Sequence, residues 1–155
     1  MWAALTGLAV VVPMVGNHAA PGFQRLESRA AGWSCVRRSA VGPRWMAIPA
    51  GTNWLGSRSG RAGEEPRPFA TSGFWMAETE TTVGEFLAYL ESGGRVASTA
   101  LVEQVDGRWR ARVPEDQPIT QVTQDEAKAY AAWLGSRLGA EVRLPTGDEW
   151  EYAAR

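Results

Sequence analysis

The 155-residue chain carries 16 basic and 17 acidic residues spread along its length, for a formal net charge of −1, which gives no sign of a nucleic-acid footprint or a polybasic membrane patch. A single cysteine, Cys35, excludes an internal disulfide and any multi-cysteine metal site. A single histidine, His18, argues against a histidine-based metal site or a His-dependent triad in this chain alone.

The first stretch, "MWAALTGLAVVVPMVGNHAA", is apolar from Trp2 to Val15, which is short of the roughly 20 residues a spanning helix needs. Its length fits a signal-peptide h-region, so residues 1–20 are read as a signal peptide and the protein as exported, periplasmic or extracellular. Against this, no Lys or Arg precedes the run, and His18 and Pro21 flank the cleavage position after Ala20. A start codon assigned too far upstream is the alternative, and would leave the protein cytoplasmic. Cys35 follows Gly32-Trp33-Ser34, a poor match to a lipoprotein box. Residues 21–43 show no sustained period of 2 or 3.6 and read as a linker.

From Arg44 the pattern becomes that of a folded domain. Trp45, Met46 and Ile48 predict a strand, Pro49 to Gly51 a turn, and Thr52 to Leu55 a second strand. Arg58 to Pro68 is a polar Gly/Pro loop, and Phe74 to Ala77 a further strand. Thr82 followed by Glu85 is a capping box that opens a helix over Val83–Glu91; Val83, Phe86, Leu87 and Leu90 form its apolar stripe and Gly93-Gly94 stop it. Leu101 to Val113 predicts a hairpin turning at Asp106-Gly107, a pair suited to a type I′ turn. Thr123 and Glu126 form a second capping box before a helix over Gln124–Leu138, with Ala127, Tyr130, Ala131, Leu134 and Leu138 facing inward and Gly139 ending it. Val142 and Leu144 predict a short strand. Thr146 and Glu149 form a third capping box, opening a helix from Gly147 whose stripe of Trp150, Ala153 and Ala154 expects a core to lie against. Short strands, a few helices and long irregular loops argue for an α+β class with little regular secondary structure.

Eight Trp and 17 Gly point to an aromatic core within a loop-rich fold, and for most of the tryptophans core packing outweighs a ligand-stacking platform. Paired carboxylates can do acid–base work, so Asp148, Glu149 and Glu151, and likewise Asp125 and Glu126, are candidates. All lie in first helical turns, where capping and the helix dipole favour acids without any chemistry, and the structural reading is preferred. Cys35 as a nucleophile needs a cationic or helix-terminal setting that its segment does not predict. Gly56 to Gly63 is glycine- and arginine-rich but lacks the Gly-Lys-Ser/Thr ending of a phosphate-binding loop. No catalytic, cofactor-binding or metal residue is assigned.

Three blocks, "MAIPAGTNWLGS", "GFWMAETETTVGEF" and "QPITQVTQDEAKAYAAWLGSRLGAEVRLPTGDEWEYAAR", together resemble the sulfatase-modifying factor family, whose best-known member is the formylglycine-generating enzyme. The resemblance covers Met46 to Arg155 and departs from the family pattern at Phe69, Gln124 and the Gly-Asp-Glu-Trp stretch. It implies a C-type-lectin-like formylglycine-generating-enzyme fold, here incomplete: residues 44–155 would be the N-terminal part of the domain. The following half would supply the two copper-binding cysteines and most calcium ligands. The function implied for the full-length relative is oxidation of a sulfatase cysteine to formylglycine, with the sulfatase polypeptide as partner, no nucleic acid and no membrane span. This chain alone is expected to be inactive. The alternatives are a non-catalytic lectin-fold binding module, or the iron-dependent sulfur-transfer branch of the same family, ranked last. Without a second half, the two helix stripes and Trp150 are expected to lack part of their cover and to promote association.

Overall fold

The computed structural model describes residues 8–13, 36–38, 42–57, 65–97 and 99–155. His18, Trp33, Cys35 and most of the glycine-rich loop lie outside them. A four-stranded antiparallel sheet runs in the order β1-β6-β3-β2, from β1 (Val11–Pro13), β6 (Phe74–Ala77), β3 (Arg44–Ile48) and β2 (Val36–Arg38). Two hairpins flank it: β4 (Gly51–Leu55) with β5 (Arg67–Thr71), and β7 (Val102–Val105) with β8 (Arg108–Ala111). Three helices complete the fold, α1 (Val83–Glu91), α2 (Gln124–Leu138) and α3 (Gly147–Ala153).

Local chemistry accounts for most of these boundaries. All three capping boxes form, with Thr82, Thr123 and Thr146 each accepting from the third helical N–H and the paired glutamate accepting from the cap N–H. Helix α2 ends at Gly139, whose φ of 61° is left-handed backbone that a Cβ disfavours. The β7–β8 turn has positive φ at both central residues, 51° at Asp106 and 77° at Gly107, as a type I′ turn requires.

The main core lies between the sheet and helices α1 and α2. Phe86 stacks on Tyr130 at 5.7 Å between centroids, and Tyr89 meets Tyr130 and Trp133 edge-on at 5.9 and 5.7 Å. Trp45, Val83, Ile119 and Leu134 fill the space around them. A smaller core of Val11, Ile48 and Phe74 lies apart from it, with Met76, Tyr152 and Ala153 packed against it.

The structure departs from the sequence reading in several places. The helix stripes do not lack cover: Val83, Phe86, Leu87 and Leu90, like Ala127, Tyr130, Leu134 and Leu138, are buried by one another and by Leu8, Val10 and Val12. Trp54 is the exposed large hydrophobic side chain among the described residues, at 62%. Val142–Leu144 is no strand; Arg143 makes only an isolated bridge to Val11. The polar loop ends early, because Arg67–Thr71 pairs with β4, where Pro68 is tolerated on a two-stranded ribbon. Strand β2 falls within the segment read as linker.

Candidate functional site

The segment from Arg143 to Arg155 concentrates the acids that sequence inspection singles out, and each carboxylate has a partner. The Arg143 guanidinium forks onto Glu149, with Nη1 donating to Oε2 at 2.7 Å and Nη2 to Oε1 at 2.6 Å. The same Oε2 accepts from the Thr146 N–H at 2.8 Å, closing the capping box. Hydrogen bonding from Arg143 holds the Glu149 carboxyl below the usual carboxylate range, against the opposing effect of its desolvation. Asp148 receives both terminal nitrogens of Arg67, from β5. Glu151 Oε1 accepts from the Gly56 N–H at 2.8 Å and from Arg155 Nη2 at 2.5 Å. The Gly56 bond, reinforced by Arg155, holds Glu151 below its ordinary value. Arg155 also donates to the Gly56 carbonyl at 2.7 Å.

The Arg67–Asp148 pair and the bonds of Glu151 and Arg155 to Gly56 fasten α3 to the β4–β5 hairpin, together with the Phe69–Tyr152 edge contact at 5.8 Å, while the Arg143 fork ties α3 to the segment that enters it. None of the residues of α3 is fully buried, so polar contacts carry much of its attachment. A carboxylate locked in a bidentate arginine pair and a cap is poorly placed to exchange protons with a substrate. The structure therefore brings Asp148, Glu149 and Glu151 together as fasteners. Their partners Arg67 and Gly56 escape sequence inspection because they lie 81 and 95 residues away. Arg143, six residues before Glu149, stood within reach of a helix-entry argument.

Asp125 and Glu126 open α2 instead. The Glu126 carboxylate accepts from the backbone N–H of the cap residue Thr123 and from the Ala97 N–H. Desolvation raises its pKa, but the Thr123 and Ala97 N–H bonds outweigh it and hold the carboxyl below its usual range. Both acids border an open groove of about 520 Å³ lined by Tyr89, Gly94, Arg95 and Trp133. One ring face of Trp133 lies under the Arg137 guanidinium, 5.3 Å away.

Away from these acids, Tyr130 Oη and Thr81 Oγ1 are buried without a partner of good hydrogen-bond geometry. Burial, followed by the charge of Glu85, pushes the Tyr130 phenol well above its ordinary value. Glu85 itself is raised by desolvation. Among the described residues no group of three or more His, Cys, Asp or Glu could hold a metal. The α3 acids are committed to arginines and backbone N–H groups, so these residues do not fit a copper or a calcium centre. No helix among the described residues is long and apolar enough to cross a membrane.

Residues 35–155 match the family described as sulfatase-modifying factor enzyme 1-like domain. Hercynine oxygenase of Mycobacterium tuberculosis is 45% identical over 103 residues, covering 52% of this chain and 24% of that protein. Formylglycine-generating enzyme of the same organism is 53% identical over 38 residues, covering 24% of this chain and 11% of the relative. Inactive C-alpha-formylglycine-generating enzyme 2 of Bos taurus is 47% identical over 38 residues, covering 24% of this chain and 11% of the relative. The chain thus spans a quarter or less of these proteins. PvdO from Pseudomonas aeruginosa shares the fold with a TM-score of 0.50 at 23% identity, over 80% of this chain and 47% of that one. By the match over residues 35–155, this chain belongs to the sulfatase-modifying factor enzyme 1-like domain family.

Proposed function

We propose that this chain is scaffold for an oxidative enzyme of its family, with hercynine oxygenase-type chemistry favoured over formylglycine formation. The carrying observation is the extent of likeness: identity to hercynine oxygenase reaches 45% across 52% of the chain, whereas the formylglycine-generating match is confined to 24%. This departs from the ranking drawn from sequence, which put formylglycine formation first. The described residues supply the frame, and the oxidising centre comes from elsewhere in the complete enzyme. Under this reading the fold is C-type-lectin-like.

A grafting experiment tests the proposal. The matching stretch of the M. tuberculosis hercynine oxygenase is replaced by its counterpart from this chain, and a parallel graft is made in the formylglycine-generating enzyme. Hercynine-dependent oxygen consumption by the first chimera, with no aldehyde formed on a cysteine-containing sulfatase peptide by the second, is the expected result. The converse pattern would restore the formylglycine reading and make a sulfatase polypeptide the partner. Turnover by the 155-residue chain alone would overturn the scaffold role.

A second reading, a non-catalytic binding module, is favoured by the open groove lined by Tyr89, Arg95 and Trp133. Two folded but inactive chimeras would support it.

A further inference from the structure

The apolar N-terminal run is the one sequence feature that the family likeness leaves unabsorbed, since the match begins at residue 35. Leu8, Val10, Val11 and Val12 are each buried. Strand β1 lies antiparallel to β6, with Val11 opposite Met76 and Val12 opposite Trp75. The Ala77 N–H donates to the Val10 carbonyl at 3.1 Å, and the Thr81 N–H to the Leu8 carbonyl at 2.6 Å. On its other edge, Val11 and Arg143 exchange both backbone hydrogen bonds, at 2.7 and 3.0 Å.

The side chains alternate as a strand requires. Leu8, Val10 and Val12 enter the main core, and Val11 enters the smaller core with Ile48 and Phe74. A strand buried on both faces must be apolar at nearly every position, which explains the unbroken Leu8–Val12 run without a leader. Arg143, which it grips, is also the residue that forks onto Glu149.

We propose that Leu8–Pro13 is a permanent structural strap of the folded protein, joining β6 to the entry of α3, and not part of a segment removed after export. Hydrogen exchange on the unmodified chain tests it first. Val11 and Arg143 amides are expected to exchange as slowly as those of β3 and β6; exchange at the rate of an open chain at Val11 would overturn the proposal.

Cross-linking tests the register independently. In a Cys35→Ser background, Val11→Cys with Met76→Cys should oxidise to an intramolecular disulfide, because the two positions face each other directly. Val12→Cys with Met76→Cys, one residue out of register, should not. Equal cross-linking by both pairs, or by neither, would overturn the strap. In the cell, the mature N-terminus must lie at or before Leu8; a mature form starting after Pro13 would overturn retention.

Discussion

Removing the Glu149 carboxylate is the sharpest test of whether the acids of the Arg143–Arg155 segment are fasteners. Glu149→Ala deletes two things at once, the return arm of the capping box and the acceptor of the Arg143 fork. Loss of a cap interaction costs about 1 kcal/mol. The charged pair would be worth more if buried, but the Arg143 side chain is 36% exposed against 12% for Glu149, and solvent screening reduces it to about 1 kcal/mol. The sum is about 2 kcal/mol, or a fall in Tm of roughly 4–8 °C for a domain of this size. Glu149→Gln keeps a side-chain acceptor for the cap and should lose only about half of that. Urea denaturation followed by tryptophan fluorescence gives the values, and a double-mutant cycle with Arg143→Ala isolates the pair. A coupling energy of about 1 kcal/mol is expected. Coupling below about 0.3 kcal/mol, within the error of additivity, would refute the fastening role.

Three further outcomes follow from the packing and the charges. Phe86→Ala opens a void between Tyr89 and Tyr130 and should cost about 3–5 kcal/mol by urea denaturation; a loss under about 1 kcal/mol would mean the aromatic cluster is not close-packed. Gly135→Ala should destabilise although alanine favours helices by about 1 kcal/mol, because the new Cβ would meet the Ala140 carbonyl oxygen at 2.7 Å; a rise in Tm would show that the α2 C-terminal turn yields freely. Acidification should weaken the fold: Glu149 and Glu151 have depressed folded-state pKa values, so their contribution is full above the unfolded value of about 4.3 and is lost as pH falls through the folded one. Glu85, raised by burial, acts in the opposite sense and offsets part of this as its carboxyl protonates. Urea midpoints measured from pH 6 down to pH 3 should decline, and Arg143→Ala should flatten the decline.

What the sequence made legible was short-range. Each capping box needs only a threonine and a glutamate three residues apart, and the hairpin only Asp106-Gly107, so these elements emerged with their boundaries nearly intact. Features closed by distant partners did not. The Arg67–Asp148 pair joins residues 81 apart, and no local period announces it. Strand β5 was hidden by Pro68 and by neighbouring polar residues that only the partner strand organises. Val142–Leu144 alternates like a strand, yet only Arg143 finds a bridge partner. The N-terminal run was ambiguous for a physical reason: a leader core and a strand buried on both faces have the same composition. Family and mixed helix–strand character were readable; the roles of the acids became clear only when their partners were seen.

The most direct measurement takes the hercynine oxygenase chimera and substitutes Asp148→Asn, Glu149→Gln and Glu151→Gln together. Fasteners predict a lower Tm with kcat per folded molecule unchanged. A collapse of kcat with Tm preserved would contradict the scaffold role and make these carboxylates part of the chemistry.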